Sequence, residues 1–330
     1  MMRSANSFAV ACRIPSGDMV IKEQRWKSLA VRFPFLKWPF FRGTVVLVEA
    51  LLNGLSALTF SANIQARYEE KPAKGDETDA SEVGKSPKES ESKELSKGEA
   101  FVAISISLLF AMGLFVLLPH LATSLLGYDT DTLSFHLIDG LIKLVILLTY
   151  LWGIGFIADI RRVFQYHGAE HKAIFAHEKG LELTVENASR QTRFHPRCGT
   201  SFLFLVIGVS IVLFSLTLQF RIVDSKILDN IIKIIIKIPL MLPVAGIAYE
   251  LIRISGKHHE KWYFKPFIAP GLALQRLTTR EPDEKMVEVA LASLKISLWR
   301  EEHIEAPSDD KERFYKGLAD VPETPIIMGN

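Results

Sequence analysis

Uninterrupted apolar runs long enough to span a membrane dominate the middle of the chain. Residues 101–119 contain no charged side chain, and residues 200–220 are equally apolar. A helix of about 20 apolar residues crosses the hydrocarbon core of a bilayer. A soluble helix that is apolar on all sides would need a large protein core around it. Both runs therefore predict transmembrane helices.

Two further segments predict spans despite containing charged residues. Residues 135–158 are apolar with Lys143 as their basic residue, and residues 230–249 include Lys233 and Lys237 together with two prolines. Long lysine side chains can extend to the membrane interface, and kinked helices are tolerated inside a bundle. The last segment therefore predicts a kinked span, with a re-entrant or interfacial helix as the alternative.

The segment 44–63 is mostly apolar but has a polar side. Glu49 and Asn53 are four residues apart, so they share one helical face. This pattern predicts an amphipathic helix that rests on the membrane or on the other helices. The fold class is therefore mainly α: a polytopic membrane helical bundle of about four transmembrane helices.

Charge in the loops predicts the orientation. Residues 159–198 contain seven Lys and Arg side chains, whereas residues 121–134 contain none. Loops rich in Lys and Arg remain on the cytoplasmic side. The 159–198 segment is thus expected in the cytoplasm of a plasma (inner) membrane protein, and four spans place both termini there too.

The regions outside the spans predict smaller elements. Two alternating segments around a Pro-Ser-Gly-Asp turn in residues 6–26 predict a β-hairpin. Residues 283–300 predict a C-terminal amphipathic helix. The expected divisions are the hairpin with the amphipathic helix (1–65), a disordered charged linker (66–98), the membrane domain (99–255), an interfacial and helical region (256–305) and a disordered tail (306–330).

Composition excludes several classes of protein. The formal net charge is +2 without a long basic run, which argues against nucleic-acid binding. Cys12 and Cys198 are too far apart in the chain to suggest a disulfide framework, and both suit a reducing compartment. The first 17 residues lack the apolar core of a secretory signal.

Candidate chemistry is concentrated in the predicted cytoplasmic segment. If residues 159–178 form a helix that ends near Gly180, then His167 and His171 are one turn apart and Glu170 lies on the same side. That side is also the apolar stripe of the helix. Polar groups that face an apolar environment need partners, and a divalent metal is a natural partner for neutral imidazole.

A second group of potential ligands follows. His195 and Cys198 lie in a Pro-containing turn just before the third span, and imidazole with thiolate suits zinc. His167, His171, His195 and Cys198 would complete four ligands, with Glu170 as a base or supporting group. Alternatively, Glu170 binds the metal and one histidine does not. Four protein ligands indicate a structural site, and three with water a catalytic one.

Non-metal interpretations of the same residues are also available. The two helical histidines can be satisfied by hydrogen bonds within a bundle, and a buried cysteine often acts as a small apolar residue. The spacing His-x-x-Glu-His matches the inverted zinc-protease motif. The remaining architecture of those soluble proteases is absent from the sequence, so their function is not transferred to this chain.

Several motifs together resemble the YqhQ-like family of bacterial membrane proteins, a domain of unknown function described as metal-dependent. The matching segments are residues 1–3 (Met-Met-Arg), 41–43 (Phe-Arg-Gly), 166–172 (Tyr-His-Gly-Ala-Glu-His-Lys), 195–202 (His-Pro-Arg-Cys-Gly-Thr-Ser-Phe), 270–272 (Pro-Gly-Leu) and 274–283. The resemblance extends to about residue 300. It implies a membrane protein with a metal, without a defined reaction.

Two functions follow as hypotheses. One is a membrane-embedded metal-dependent hydrolase with Glu170 as general base and a divalent metal, zinc by its ligands, as cofactor. The other is a non-catalytic scaffold or accessory factor in membrane-protein insertion or quality control. Both have the lipid bilayer as a partner, and the second also requires other membrane proteins. The scarcity of ionisable residues in the spans, with no paired acidic relay, disfavours a transporter.

Overall fold

The computed structural model describes residues 1–39, 41–69, 97–257, 261–306 and 311–322. Most of the predicted linker, from residue 70 to 96, lies outside these ranges. The elements are β1 (Met2–Arg3), β2 (Ser7–Arg13), β3 (Met19–Arg25), α1 (Leu29–Arg32), α2 (Phe41–Glu69), α3 (Lys97–Met112), α4 (Leu118–Leu125), α5 (Leu133–Ile154), α6 (Ala158–Glu178), α7 (Val185–Ser189), α8 (Thr200–Thr217), α9 (Lys226–Lys257), α10 (Lys265–Thr278), α11 (Glu284–Glu302) and β4 (Glu312–Tyr315).

The strands form one antiparallel sheet in the order β1-β2-β3-β4. The predicted hairpin is confirmed, with Ser7 opposite Arg25 and Arg13 opposite Met19. The prediction of a disordered tail from residue 306 is wrong for β4, because Met19 of β3 pairs with Tyr315. The backbone of these tail residues would be hydrated if they were isolated. Here it forms hydrogen bonds with β3, the exposed edge strand of the hairpin.

Two compact units contain these elements. Of the described residues, one unit contains those within 1–26, 51–105 and 288–325, and the other chiefly those within 27–50 and 106–287. In the first unit, α11 covers the sheet: the Ser293 hydroxyl donates to the carbonyl of Ala9, and the Arg300 guanidinium bonds Glu23 through two nitrogens. The first and last parts of the chain therefore fold together.

Glu301 connects the end of α11 to the N-terminal segment. Its carboxylate accepts hydrogen bonds from the Ser4 hydroxyl (2.5 Å), the Asn6 backbone N–H (2.6 Å) and the Asn6 side chain (2.8 Å). Burial alone would raise the pKa of Glu301, but these hydrogen bonds outweigh it and lower the pKa. The contact is therefore sensitive to acid.

We expect Glu301→Gln to destabilise the protein by about 1.5–3 kcal/mol at pH 7, since charge-assisted hydrogen bonds are lost. A lowered folded-state pKa contributes stability that is present above the unfolded value and is lost as the pH falls through the folded value. Thermal unfolding should therefore be measured at pH 7 and at acidic pH. The decrease in unfolding temperature on acidification should be smaller in Glu301→Gln than in wild type. The exposed neighbour Glu302→Gln is the control, and an equal effect there would contradict the assignment.

The C-terminal half of α2 packs on the sheet. Ala57 and Phe60 contact Phe8 and Val10, and Ile64 contacts Val20. The Arg67 guanidinium also pairs with the Glu312 carboxylate of β4 at 2.9 Å. This half of the helix thus buries one side against the sheet, while Leu55 and Leu58 on its other side are exposed.

Five helical segments in the described part of the chain are long and apolar enough to cross a membrane. They are Phe41–Tyr68, Ser105–Leu125, Leu133–Ile154, Thr200–Thr217 and Lys226–Lys257. The last four correspond to the predicted spans, and the first contains the predicted amphipathic helix. Large apolar side chains such as Leu109, Trp152 and Ile235 point outward, as lipid-facing residues do. The protein is therefore a helical membrane protein.

The spanning helices pack through apolar clusters in the second unit. Val209 and Phe214 of α8 contact Val244 of α9, and Leu274 of α10 contacts Leu147 and Leu151 of α5. The segment at 230–249 belongs to one continuous helix that includes both prolines. The expectation that its lysines extend to the interface is wrong: Lys233 and Lys237 are each 1% exposed.

Candidate metal centre

The central helix positions two of the predicted ligands as expected. α6 covers Ala158–Glu178, so the rings of His167 and His171 lie one turn apart with centroids separated by 4.4 Å. Gly180 ends the helix in a left-handed conformation with φ of 64°. The N–H of Leu181 then returns to the carbonyl of Ala176, which is the Schellman arrangement that favours glycine here.

A turn before α8 positions the third ligand. The Cys198 N–H donates to the His195 carbonyl, and the chain then enters α8 at Thr200. Gln275 of α10 fixes this turn, since its side chain accepts from the His195 N–H and donates to the His195 carbonyl, both at 2.8 Å. Gln275 is fully buried. Neither motif spacing nor helical periodicity indicates this role, although Gln275 lies within one of the matching family segments.

Three predicted ligands come together. Ligand atoms of His167, His171 and Cys198 all lie within 4.8 Å of one another, and the Cys198 Sγ is 3.3 Å from the His167 Nε2. His171 and Cys198 are buried, and His167 is partly buried. The cluster joins α6 to the turn before α8, although 31 residues separate His167 from Cys198.

Backbone carbonyls orient both imidazoles. The His167 Nδ1 lies 2.9 Å from the Thr278 carbonyl, and the His171 Nδ1 lies 2.5 Å from the Arg193 carbonyl. A carbonyl oxygen only accepts hydrogen bonds, so each Nδ1 carries its proton. In a neutral ring the lone pair is then on Nε2, the arrangement found in metal-ligating histidines.

The cysteine and His167 form a charge-coupled pair. Burial alone would raise the pKa of Cys198, but hydrogen bonds from His167 and His171 lower that pKa to about 5. Burial alone would lower the pKa of His167, yet the adjacent sulfur raises it to about 9, with Glu170 contributing. At neutral pH the pair is therefore a thiolate beside an imidazolium. The thiolate is the form of cysteine that binds metals, and a metal would displace the Nε2 proton of His167.

The fourth predicted ligand lies beside the cluster and bonds elsewhere. The His195 Nε2 is 3.2 Å from a carboxylate oxygen of Glu178, and its Nδ1 accepts the Arg197 N–H at 3.2 Å. Its ring packs against those of Phe175 and His171. His195 lowers the pKa of Glu178 through this hydrogen bond. The structure thus uses both ring nitrogens of His195 outside the three-residue group.

Glu170 adjoins the cluster without joining it. It is partly buried, and its charge acts on the imidazole of His167. The group of atoms within 4.8 Å does not include its carboxylate. The geometry brings together two histidines and a thiolate, with Glu170 nearby, and so reproduces neither of the two predicted ligand sets in full.

Gly168 explains why the motif contains a glycine next to its first histidine. The Arg280 N–H donates to the Phe164 carbonyl, so the backbone after α10 runs closely along α6. A Cβ at Gly168 would lie 2.3 Å from the Arg280 carbonyl oxygen. Only glycine permits this approach, which also places the Thr278 carbonyl beside His167.

We therefore expect Gly168→Ala to destabilise the protein by about 1–3 kcal/mol, as overpacking does, and to weaken any metal binding. Thermal unfolding and metal titration of the purified protein test this. Gly208→Ala is the matched control, because Gly208 lies within helix α8 and a Cβ added there would have open space for 4 Å among the described residues. Equal behaviour of the two variants would contradict the close-approach argument.

Fold and site together define a helical membrane protein with a buried His/Cys cluster beside its spanning helices. The chain belongs to the family described as "Protein of unknown function (DUF1385)", which matches residues 38–299. It is 35% identical over 266 residues to the "Uncharacterized protein YqhQ" of Bacillus subtilis (strain 168), covering 78% of this chain and 76% of that protein. The resemblance to the YqhQ-like family is therefore confirmed. No solved structure matches the chain.

Proposed function

We propose that this protein is a membrane-embedded, metal-dependent hydrolase with a zinc-like site at the cytoplasmic face of the membrane. The observation that carries the proposal is the three-residue group of His167, His171 and Cys198. Three protein ligands are the usual number in catalytic zinc sites, which retain one position for water or substrate. The engagement of His195 with Glu178 leaves that fourth position to a non-protein ligand.

The donor set fits a tetrahedral zinc ion. Bonds of about 2.0–2.3 Å from zinc to nitrogen and sulfur separate the ligand atoms by about 3.3–3.6 Å. The 3.3 Å between the Cys198 Sγ and the His167 Nε2 matches this spacing. Nδ1 protons bound to carbonyls complete the pattern, because they direct Nε2 of both histidines to the cluster.

The pairing of β3 with β4 supports a four-span topology. These strands precede the first apolar helix and follow the last one, so they lie on one side of the membrane. The number of crossings between them is therefore even. We propose that α2, whose C-terminal half packs on this sheet, is the helix that does not cross, in line with its predicted amphipathic pattern. Loop charge then assigns both termini and the metal centre to the cytoplasm of a plasma membrane protein.

The chemistry assigned to the site is hydrolysis. A bound divalent metal would act as a Lewis acid toward a water or a carbonyl. Glu170, one helical turn from His167, would accept the proton from the attacking water as general base. The Thr278 and Arg193 carbonyls keep the imidazoles oriented. The Cys198 thiolate would offset part of the positive charge of the metal.

Cobalt substitution tests whether the site has an open position without requiring a known substrate. The visible absorption of the cobalt-loaded protein in detergent should change when a hydroxamate is added, because the hydroxamate occupies the fourth position. Glu170→Gln should keep the metal, and it should abolish turnover in screens of peptide and ester substrates. A spectrum that is indifferent to hydroxamate would argue against catalysis.

One observation favours the second candidate, a non-catalytic accessory protein with a structural metal. The cluster joins three separate segments: α6, the turn at Cys198 and the end of α10 through Thr278. A metal there would fix these segments against the spanning helices. In that case His195 would leave Glu178 to complete four ligands, and a stoichiometric membrane-protein partner should copurify in mild detergent.

A further inference from the structure

A second polar cluster lies inside the membrane bundle, away from the His/Cys site. Its centre is the carboxylate of Asp139 in α5, which is bonded to the ammonium groups of Lys143 (2.5 Å) and Lys237 (3.3 Å). Lys237 also lies 3.0 Å from the Nδ1 of His120. Lys143 and Lys237, which stand alone in apolar segments of the sequence, thus share one carboxylate through contacts among α4, α5 and α9.

The cluster is deeply buried. Asp139, Lys237, His120 and the neighbouring His136 are each 0–2% exposed. Lys237 is eleven residues beyond the start of α9, which is about 16 Å along a helix. This distance is about half the thickness of a hydrocarbon core. Ionisable groups at such a depth are costly, and they mark functional sites in membrane proteins.

Charge in this cluster is unbalanced. Asp139 supplies one carboxylate for two ammonium groups, which leaves one positive charge when the imidazoles are neutral. One turn earlier in α9, Lys233 has its own carboxylate, Asp229, at 2.8 Å. Aromatic rings of Phe135 and Phe214 lie 5.4–5.5 Å from Lys237 and offset only part of the excess.

His136 provides an additional unsatisfied donor. Among the described residues, neither of its ring nitrogens has a hydrogen-bond partner, although the side chain is 2% exposed. A neutral imidazole has one N–H donor and one acceptor, and leaving them unmatched in a buried site costs free energy. The second oxygen of Asp139 also has no partner in this part of the chain, but as an acceptor it calls for a hydrogen-bond donor. The observation that points to an anion is therefore the unmatched N–H of His136.

A polar path leads to the cluster from one end of the bundle. Asp129, before α5, pairs with Lys226 at the exposed start of α9. The Thr130 hydroxyl next contacts both Asp229 and Lys233. Successive charged residues at positions 226, 229, 233 and 237 thus follow one side of α9 to the cluster.

We propose that Lys143, Lys237 and His136 bind an anion inside the membrane bundle, in the half that contains the loop between α4 and α5. Two ammonium groups and an imidazole N–H supply the donors, and the excess positive charge supplies the attraction. The ligand is a small anion or the anionic group of a larger solute. This site is independent of the His/Cys cluster and of the hydrolase proposed for it.

Thermal unfolding of the purified protein in detergent, with chloride replacing gluconate at constant ionic strength, tests the proposal. Chloride should raise the unfolding temperature of wild type by several degrees, because a ligand that binds only the folded state stabilises it. Lys237→Met should abolish this shift. His136→Phe should weaken chloride binding about tenfold, the effect of losing one charge-assisted hydrogen bond.

Lys233→Met is the matched control, since Lys233 is equally buried on the same helix but has its own carboxylate. The Lys233→Met protein should retain the rise in unfolding temperature caused by chloride, even if its unfolding temperature without chloride differs from that of wild type. If Lys237→Met does not fold, Lys143→Met replaces it, because both variants leave one ammonium for Asp139. The same measurement with formate and acetate separates the two ligand sources. A larger rise in unfolding temperature with chloride indicates a free ion, and a larger rise with the carboxylates indicates the anionic group of a larger solute.

Two outcomes would overturn the proposal. One is an unfolding temperature of wild type that is indifferent to chloride, formate and acetate from about pH 6 to about pH 9, which would mean that the cluster relieves its charge by losing a proton. The other is an equal chloride shift in wild type, Lys237→Met and Lys143→Met, which would place the anion elsewhere on the protein.

Discussion

Protein purified without an affinity-tag metal is expected to contain one zinc ion per chain, and His171→Ala and Cys198→Ala are expected to contain none. The physical reason is the small number of ligands. The structure brings together three protein ligand atoms within 4.8 Å, so the loss of one leaves two, too few for tight zinc binding. Elemental analysis of the detergent-purified protein, before and after reconstitution with zinc, measures this directly.

Two further variants make the result specific. His177→Ala lies on the same helix outside the cluster and should keep its zinc. His195→Ala distinguishes the two possible ligand sets: the three-ligand geometry predicts that the metal is retained, and a four-ligand site predicts that it is lost. Absence of zinc from wild type even after reconstitution would leave the cluster as a hydrogen-bonded contact between helices.

Asp139→Asn is expected to be the most destabilising single substitution in the membrane bundle, at about 3–5 kcal/mol, because removing one member of a buried ion-pair network leaves the opposite charges uncompensated. Here two ammonium groups, those of Lys143 and Lys237, lose their shared carboxylate. Unfolding of the protein in detergent under increasing denaturant gives the difference in free energy.

A double-mutant comparison separates the loss of these ion pairs from non-specific destabilisation of the fold. Asp139→Asn should cost less in a Lys237→Met background, because fewer buried charges then remain. The surface pair is the control: Asp129→Asn, whose partner Lys226 is more than half exposed, should cost less than about 1 kcal/mol. An Asp139→Asn protein as stable as Asp129→Asn would show that Asp139 is not the shared counter-ion.

The His/Cys cluster was predictable in part. Helical periodicity places His167 and His171 on one face whatever the rest of the fold does, and α6 forms where it was expected. The role of His195 depended on distant residues. Its ring nitrogens bond Glu178 and Arg197, and its backbone bonds Gln275, 80 residues away. No spacing rule within the chain contains that information.

The intramembrane cluster shows the same limit more clearly. Lys143, Lys233 and Lys237 were visible as isolated charges in apolar segments, and snorkelling was the expectation for those in the last span. Asp139 lies one helical turn from Lys143 in the sequence, but its contact with Lys237 joins α5 to α9 across 98 residues. Whether a lysine extends to the interface or remains buried depends on that partner.

The sequence by itself determined the local features of this protein: the apolar runs, the hairpin at 6–26, the helix that presents two histidines and the distribution of loop charge. Each follows from short-range periodicity, because side-chain direction along a helix or strand repeats within a few residues. Only the tertiary structure decided that β4 joins the hairpin, that Cys198 approaches His167, and that Asp139 is shared by two lysines. Those contacts depend on how distant elements pack, and packing satisfies buried polar groups with partners that the order of residues does not specify.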